Sequence, residues 1–275
     1  MKAFLLYSVI SLLFLSTSFA QNADLNCKKS DEAISQKISD QFVEDYVKAF
    51  GFPEAGGYKA RIDYLKKEIS KTPDCSCADP KLQGLKDQLN QTEIAANSFA
   101  QLDTAAQHRA YVENEVQRRV SYLKGYLQKR GCSLSDLDVF VISLYTGSQY
   151  KLINTALRSG GDVLAKYRFL VDAINDGLGK LTPYTGEVRR GVSLAPEIAK
   201  QYCLGCEVEE KAFVSATTGN VYAKQPYQFI IKSKTGVYIA PISSAPMEEE
   251  VLFKSGTYFK VTKVKGHLIT MEEMP

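Results

Sequence analysis

The sequence predicts an α+β protein: an all-helical N-terminal region, then a C-terminal half built of short strands with helices against them. Two observations carry this. Up to about residue 132, apolar residues recur every three or four positions, as one face of a helix requires. Beyond Gly177-Leu-Gly179 the pattern becomes short β-branched and aromatic runs separated by turn residues, which reads as two small packed sheets. The 275 residues suffice for one large domain or two small ones. A net charge of +3, with no basic stripe carrying interleaved aromatics, argues against a nucleic-acid partner.

Residues 1–20 read as a secretory signal peptide. Lys2 supplies the positive start, residues 3–14 the apolar run, and Ser18-Phe19-Ala20 the small residues of a cleavage site after Ala20. No later stretch reaches the roughly 20 apolar residues of a membrane span, so no stable membrane insertion is expected after cleavage. The expected location is secreted, either extracellular or periplasmic. Export makes Cys27, Cys75, Cys77, Cys132, Cys203 and Cys206 candidates for disulfides. The pairing stays open. A local Cys203–Cys206 bridge would leave Cys27 and Cys132 to pair with Cys75 and Cys77. A zinc site on Cys203-x-x-Cys206 would need two more ligands that the nearby sequence lacks, so no metal is expected.

The elements follow in order. Ile34, Ile38, Phe42, Tyr46 and Phe50 recur every fourth residue behind Ser30, a candidate N-cap, and Gly51-Phe-Pro53 stops that helix. Tyr58, Ile62, Leu65 and Ile69 repeat the spacing. A third helix is expected over 81–104, and a fourth places Val112, Val116, Val120, Leu123 and Leu127 on one face. Such stripes imply a small bundle packing on itself. Gly131-Cys132 punctuates the chain, and the domain boundary is placed here: a helical region over 21–132 and a second domain over 133–275. Leu137, Phe140, Val141 and Leu144 begin the second domain as a helix. The turn Tyr145-Thr-Gly-Ser-Gln leads to another helix with Tyr150, Ile153, Asn154 and Leu157 on one face, and a third covers 164–174. Strands are expected over 188–192, 212–218, 228–231, 236–240, 251–253, 258–264 and 267–271, with a helix over 195–202.

Four stretches carry chemistry. In Pro246-Met-Glu248-Glu249-Glu250-Val-Leu-Phe253, strand alternation puts Glu248 and Glu250 on one face roughly 7 Å apart and Glu249 on the other. Two carboxylates at the mouth of a strand can do two jobs at one site. In Val188-Arg189-Arg190-Gly191, a guanidinium fork suits a phosphate or carboxylate, and glycine admits a close approach to the backbone. Ser215 and Thr217 share a face of their strand. Asn154, on an otherwise apolar helix face, needs a partner if buried; it holds either the adjacent loop or a ligand, and the spacing favours the loop. His108 and His267 are the only histidines, one in each half, which argues against both a His-rich metal site and a Ser-His hydrolase.

Taken in chain order, the Arg-Gly strand, the Ser-x-Thr strand and the Glu-x-Glu turn into Val-Leu-Phe resemble the arginine-type mono-ADP-ribosyltransferases, a family of secreted bacterial toxins and animal ecto-enzymes. The resemblance covers about residues 135–272. It extends to Tyr145-Thr-Gly-Ser-x-Tyr150-x-x-Ile-Asn154-x-x-Leu-Arg158 and to the Ser-Gly-Thr-x-Phe hairpin after Glu250. It implies the fold named for that family, with NAD as substrate and a protein arginine as acceptor. Arg190, Ser215, Glu248 and Glu250 match the family's catalytic positions; Tyr150, Asn154, Arg189, Arg190, Gly191 and Thr217 match positions around its NAD pocket. Two departures are visible: the middle Thr of the family's Ser-Thr-Ser is Ala216, and Arg189 stands where an aromatic is common.

The implied reaction transfers ADP-ribose from NAD to arginine with release of nicotinamide. In the implied roles Glu250 stabilises the charge that develops on the ribose, Ser215 orients Glu250, Arg190 binds the NAD phosphates, and Glu248 grips the acceptor guanidinium. Two alternatives remain at this point: an NAD glycohydrolase on the same scaffold, and a secreted binding protein with an inactive transferase domain.

Overall fold

The computed structural model describes residues 38–52, 56–71, 80–129, 134–219 and 224–274. The signal-peptide segment, Ser30 and the cysteines at 27, 75, 77 and 132 lie outside the described residues. Helix α1, Asp40–Phe50, starts under Ser39, whose Oγ accepts from the Phe42 N–H at 3.1 Å, and ends at Gly51 with φ 80°. Helices α2, Gly56–Lys71, and α3, Pro80–Ala100, pack on each other. The third helix was expected to reach 104; it stops at Ala100, because Asp103 caps α4, Thr104–Lys129, by accepting from the Ala106 N–H at 2.8 Å.

Helix α5, Asp136–Leu144, opens with a Ser135/Asp138 capping box. Lys180 Nζ donates to both Asp138 oxygens, at 2.7 and 2.8 Å, tying the end of a later helix to this start. A π-helical turn, Tyr145–Gln149, breaks at Gly147 and leads into α6, Tyr150–Ser159; α7 is Gly161–Gly179. One apolar cluster unites Phe42 and Tyr46 of α1, Val112, Val116 and Val120 of α4, Phe140 of α5 and Ile174 of α7 with the loop residue Phe213 and with Val237 and Leu252 of the strands. Helices α1 and α4 therefore share their core with the helices that follow residue 133.

The strands are β1 (Gly186–Val192), β2 (Glu207–Glu210), β3 (Val214–Thr217), β4 (Tyr227–Ser233), β5 (Val237–Tyr238), β6 (Glu250–Phe253), β7 (Thr257–Lys265) and β8 (Leu268–Glu273). They form one hydrogen-bonded ladder in the order β2-β7-β8-β4-β1-β3-β6-β5, parallel only at β4–β8. A single register pair, Arg189 with Thr217, joins β1 to β3. There the ladder divides into a five-stranded and a three-stranded segment, which are the two packed sheets expected from the sequence. Their inner faces meet in a second apolar cluster. Val214, Ala216, Val251 and Phe253 from the small segment pack with Val188, Phe229, Ile231, Phe259 and Met271 from the large one. The Phe253 and Phe259 rings meet edge-to-face at 5.3 Å across this interior.

Two expectations change. The helix expected over 195–202 shrinks to α8, Pro196–Ala199, because buried Tyr202 turns inward against Phe229. Strand β2 was not anticipated; Glu-Val-Glu-Glu offers one apolar side chain, and its order comes from pairing with β7. Between them, Cys203 and Cys206 form a disulfide that closes a short loop.

Candidate active site

The four residues expected at the catalytic positions come from β1, β3, the start of β6 and the turn before it. Register explains why three of them meet. Strand β3 lies between β1 and β6, with Ser215 opposite Leu252 and Thr217 opposite both Arg189 and Glu250. Ser215 and Glu250 therefore sit on one face at neighbouring positions. Arg190 crosses from β1, its Nη1 donating to the Ser215 carbonyl oxygen at 2.6 Å.

Glu250 is the buried member of the group, 4% exposed. Burial pushes its carboxyl from the ordinary 4.5 up to about 7. A hydrogen bond from Ser215 opposes that rise, the nearby charge of Glu248 adds to it, and Arg190 and a hydrogen bond with Ser243 again oppose it. A carboxyl poised near neutrality in a polar cluster is characteristic of acid–base and charge-stabilising sites.

Glu248 is half-buried and rides on a 3-10 turn, Pro246–Glu248. Pro246 presets the turn. Glu249 then adopts left-handed backbone, φ 47° and ψ 46°, which reverses the chain into β6. Thr217 holds this turn from the next strand. Its hydroxyl donates to the Glu248 carbonyl at 2.7 Å and accepts from the Gly219 N–H at 2.9 Å. The Thr218 N–H donates to the Glu249 carbonyl at 3.2 Å. A Cβ on Gly219 would lie 2.7 Å from Glu249 Oε2, the end of an exposed side chain.

The remaining expected residues divide. Arg189 is exposed on the opposite face from Arg190, with Nη2 3.7 Å from Glu187 Oε1. Gly191 is half-buried in β1 opposite Gln228. Thr217, 1% exposed, has its hydroxyl engaged within the chain as just described. Tyr150 opens α6 and is 43% exposed. Asn154 is buried; its Nδ2 donates to Tyr145 Oη at 3.1 Å and lies 3.5 Å from the Phe213 carbonyl. It thus ties the adjacent turn to the residue before β3, the role that helical spacing favoured, while its Oδ1 has no hydrogen-bond partner among the described residues. Sequence reasoning missed Tyr145 and Ser243. Tyr145 is buried next to Glu250, and burial followed by that charge raises its phenol well above the usual range. The one signal for Ser243 was indirect: a buried carboxylate must find donors, and Ser243-Ser244 lies a short way upstream.

A guanidinium, two hydroxyls and two carboxyls around a buried strand start form a donor and acceptor set suited to an anionic, sugar-bearing molecule. A model of the NAD:arginine ADP-ribosyltransferase family matches residues 76–271. The chain belongs to that family. Among curated relatives of this family member, a protein of Mycobacterium avium (strain 104) provisionally named NAD(+)–arginine ADP-ribosyltransferase Mav is 37% identical over 130 residues, covering 45% of this chain and 16% of that protein. The NAD(+)–protein-arginine ADP-ribosyltransferase Tre1 of Serratia proteamaculans (strain 568) is 30% identical over 133 residues, covering 46% of this chain and 29% of that protein. The chain thus matches only a minor part of either relative's length. The crystal structure of the type III effector XopAI from Xanthomonas axonopodis pv. citri has a TM-score of 0.51 at 20% identity, covering 62% of this chain and 80% of that one, and shares the fold. No described helix is long and apolar enough to cross a membrane.

Proposed function

We propose that the protein is a secreted NAD-dependent mono-ADP-ribosyltransferase that modifies arginine side chains of target proteins, acting as a toxin or effector. Membership of the family supports the reaction class. The observation that carries the site assignment is Glu250: a buried carboxyl held by Ser215 and facing Arg190 and Glu248.

Each role follows from position. Arg190 supplies a fixed cation for the pyrophosphate of NAD, with its Nη1 anchored on the Ser215 carbonyl. Ionised Glu250, already in place and largely shielded from water, stabilises the positive charge that spreads over the ribose as the bond to nicotinamide breaks. Ser215 keeps that carboxylate oriented. Glu248, less buried and on the turn, receives the acceptor guanidinium and helps withdraw the proton lost when the new C–N bond forms. Tyr150, Asn154, Arg189 and Gly191 are assigned to the surroundings of the dinucleotide. Thr217 serves the same pocket through the turn that it holds.

The apolar run of residues 3–14 behind Lys2 supports export, and so does the Cys203–Cys206 disulfide, which suits an oxidising compartment. The chain divides near residue 132 into a helical region over 21–132 and a catalytic region over 133–275, with α1 and α4 of the first buttressing the helices behind the site.

The test uses labelled NAD with agmatine or polyarginine. Labelled acceptor should form with the wild-type chain and vanish with Glu250→Ala. Equal labelling by both proteins overturns the assignment of Glu250.

A further inference from the structure

We propose that Thr146 is a positioning residue for Glu248, acting through Ser244, and that its hydroxyl sets how much of the ADP-ribose goes to an arginine rather than to water. This inference rests on the reading of Glu248 as the residue that receives the acceptor guanidinium. ADP-ribose leaves nicotinamide in either case. It bonds to a guanidinium nitrogen, which gives up a proton, or to the oxygen of water, which does the same and yields free ADP-ribose.

Four backbone donors around the acid turn stay local. The Ser243 N–H donates to the Ala240 carbonyl at 3.2 Å, and the Ala245 N–H to Ser243 Oγ at 3.1 Å. The Glu248 N–H donates to the Ala245 carbonyl at 3.0 Å, and the Glu249 N–H to the Pro246 carbonyl at 3.2 Å. Such bonds give the segment its shape but not its place in the molecule. Its place comes from two anchors. Downstream, Thr217 and Thr218 of the β3 segment hold the Glu248 and Glu249 carbonyls. Upstream, four residues ahead of Glu248, the Ser244 N–H donates to Thr146 Oγ1 at 2.8 Å, across 98 residues of sequence. Ser244 Oγ donates to the Ser143 carbonyl at 2.7 Å, and Thr146 Oγ1 donates to the same carbonyl at 3.2 Å. A threonine hydroxyl has one proton and two lone pairs. Here the proton goes to Ser143 and a lone pair takes the Ser244 N–H, and valine, of nearly the same shape, can do neither.

Thr146 lies in the π-helical turn, where Gly147 leaves helical backbone at φ −85° and ψ −122°. A side chain reaching into a helix ladder is one cause of such a break, and single π turns are frequent at functional sites. Gly147 lets the loop come close: a Cβ there would stand 3.3 Å from Ser244 Oγ. Met247, between the two anchors, is 85% exposed, so packing contributes little there. Glu250 is placed differently. It is 4% exposed and paired with Thr217 in the ladder. Loosening the upstream anchor should therefore displace Glu248 and leave Glu250 where it is.

The experiment uses the full chain and Thr146→Val, with Thr146→Ser as the variant that keeps the hydroxyl. Hydrogen exchange of the Ser244 amide, followed by NMR, reads the bond itself. It should quicken about fivefold in Thr146→Val, the scale of one net hydrogen bond, and return towards wild type in Thr146→Ser. With NAD and agmatine, the ratio of ADP-ribosylated agmatine to released nicotinamide should fall about fivefold in Thr146→Val, while kcat for nicotinamide release without acceptor changes by less than about twofold. Thr146→Ser should restore the ratio. A role in stability alone would lower both products together and leave their ratio at the wild-type value. If Thr146→Val does not fold, Ser244→Ala, which removes the bond to the Ser143 carbonyl from an exposed residue, should lower the ratio in the same direction. An unchanged ratio in the variant that folds, or unaltered Ser244 exchange in Thr146→Val, overturns the proposal while the wild-type chain still transfers. A wild-type chain that cleaves no NAD overturns the transferase reading, and this role with it.

Discussion

Glu250→Gln tests the electrostatics of the site through stability. In the folded chain, burial raises the Glu250 carboxyl from 4.5 to about 7. Between these values the unfolded chain has released the proton and the folded chain still holds it. Stability therefore falls as pH rises through that window, and levels off above the folded value. The gap corresponds to roughly 3 kcal/mol by the linkage relation. Glutamine fills nearly the same space and cannot ionise. Its stability relative to wild type should thus climb by about 3 kcal/mol between pH 4 and pH 8, whatever the fixed effect of the amide. Urea denaturation of both proteins at pH 4, 5, 6, 7 and 8 measures this, and the fixed effect cancels in the pH dependence. A flat difference would mean that Glu250 is solvated. A difference of opposite sign would mean that Arg190 and the two hydroxyls outweigh burial. Either result would refute the account of a buried, near-neutral carboxyl.

Other outcomes follow from single contacts. Gly236→Ala places a Cβ 2.7 Å from the Phe253 ring and 2.8 Å from Ser233 Oγ, so thermal melts should show a loss of about 2 kcal/mol. Thr217→Val removes both hydrogen bonds that hold the acid turn; kcat for transfer should fall roughly tenfold while NAD affinity, measured by calorimetry, stays within about twofold. Glu273→Ala strands the Thr235 N–H, which donates to its carboxylate at 2.7 Å, along with the Lys234 N–H, and chemical denaturation should register a loss of about 2 kcal/mol. A chain starting at residue 133 would bare the face of α5 that packs on α1 and α4, so it should aggregate or melt well below the longer protein; equal melting temperatures would contradict the shared core.

The α+β class was legible because two periodicities succeed each other along the chain. Val112, Val116 and Val120 repeat at helical spacing and are fully buried, while the runs at β4, β6 and β7 show the strand pattern. Strand β2 was not legible, since nothing in Glu-Val-Glu-Glu is intrinsically a strand and its pairing with β7 is a long-range fact. The union of α1 and α4 with α5 and α7 was hidden for the same reason: amphipathic faces announce that they will be buried, not against what.

Within the candidate site, the order of Arg190, Ser215, Glu248 and Glu250 was legible in the resemblance. Strand alternation accounts for Ser215 and Glu250 sharing a face, but not for Glu248, which lies on a 3-10 turn with Glu249 in left-handed backbone, so the expected alternation across Glu248–Glu250 does not hold. Ser243 and Tyr145 were not legible, because a serine in a loop and a tyrosine in a turn have no periodicity to distinguish them. Thr217, expected at the pocket, engages its hydroxyl with the acid turn. Hydrogen bonds between segments far apart in sequence decide such assignments.

In the proposed reaction Glu250 promotes loss of nicotinamide by stabilising the charge on the ribose, and Glu248 directs the ADP-ribose to a guanidinium. One reaction containing NAD and agmatine tests it, with released nicotinamide and ADP-ribosylated agmatine quantified together by mass spectrometry. The wild-type chain should yield the two in nearly equal amounts, and Glu248→Gln should release nicotinamide while forming little adduct. Nicotinamide release without adduct in the wild-type chain, or full adduct formation by Glu248→Gln, would contradict the account.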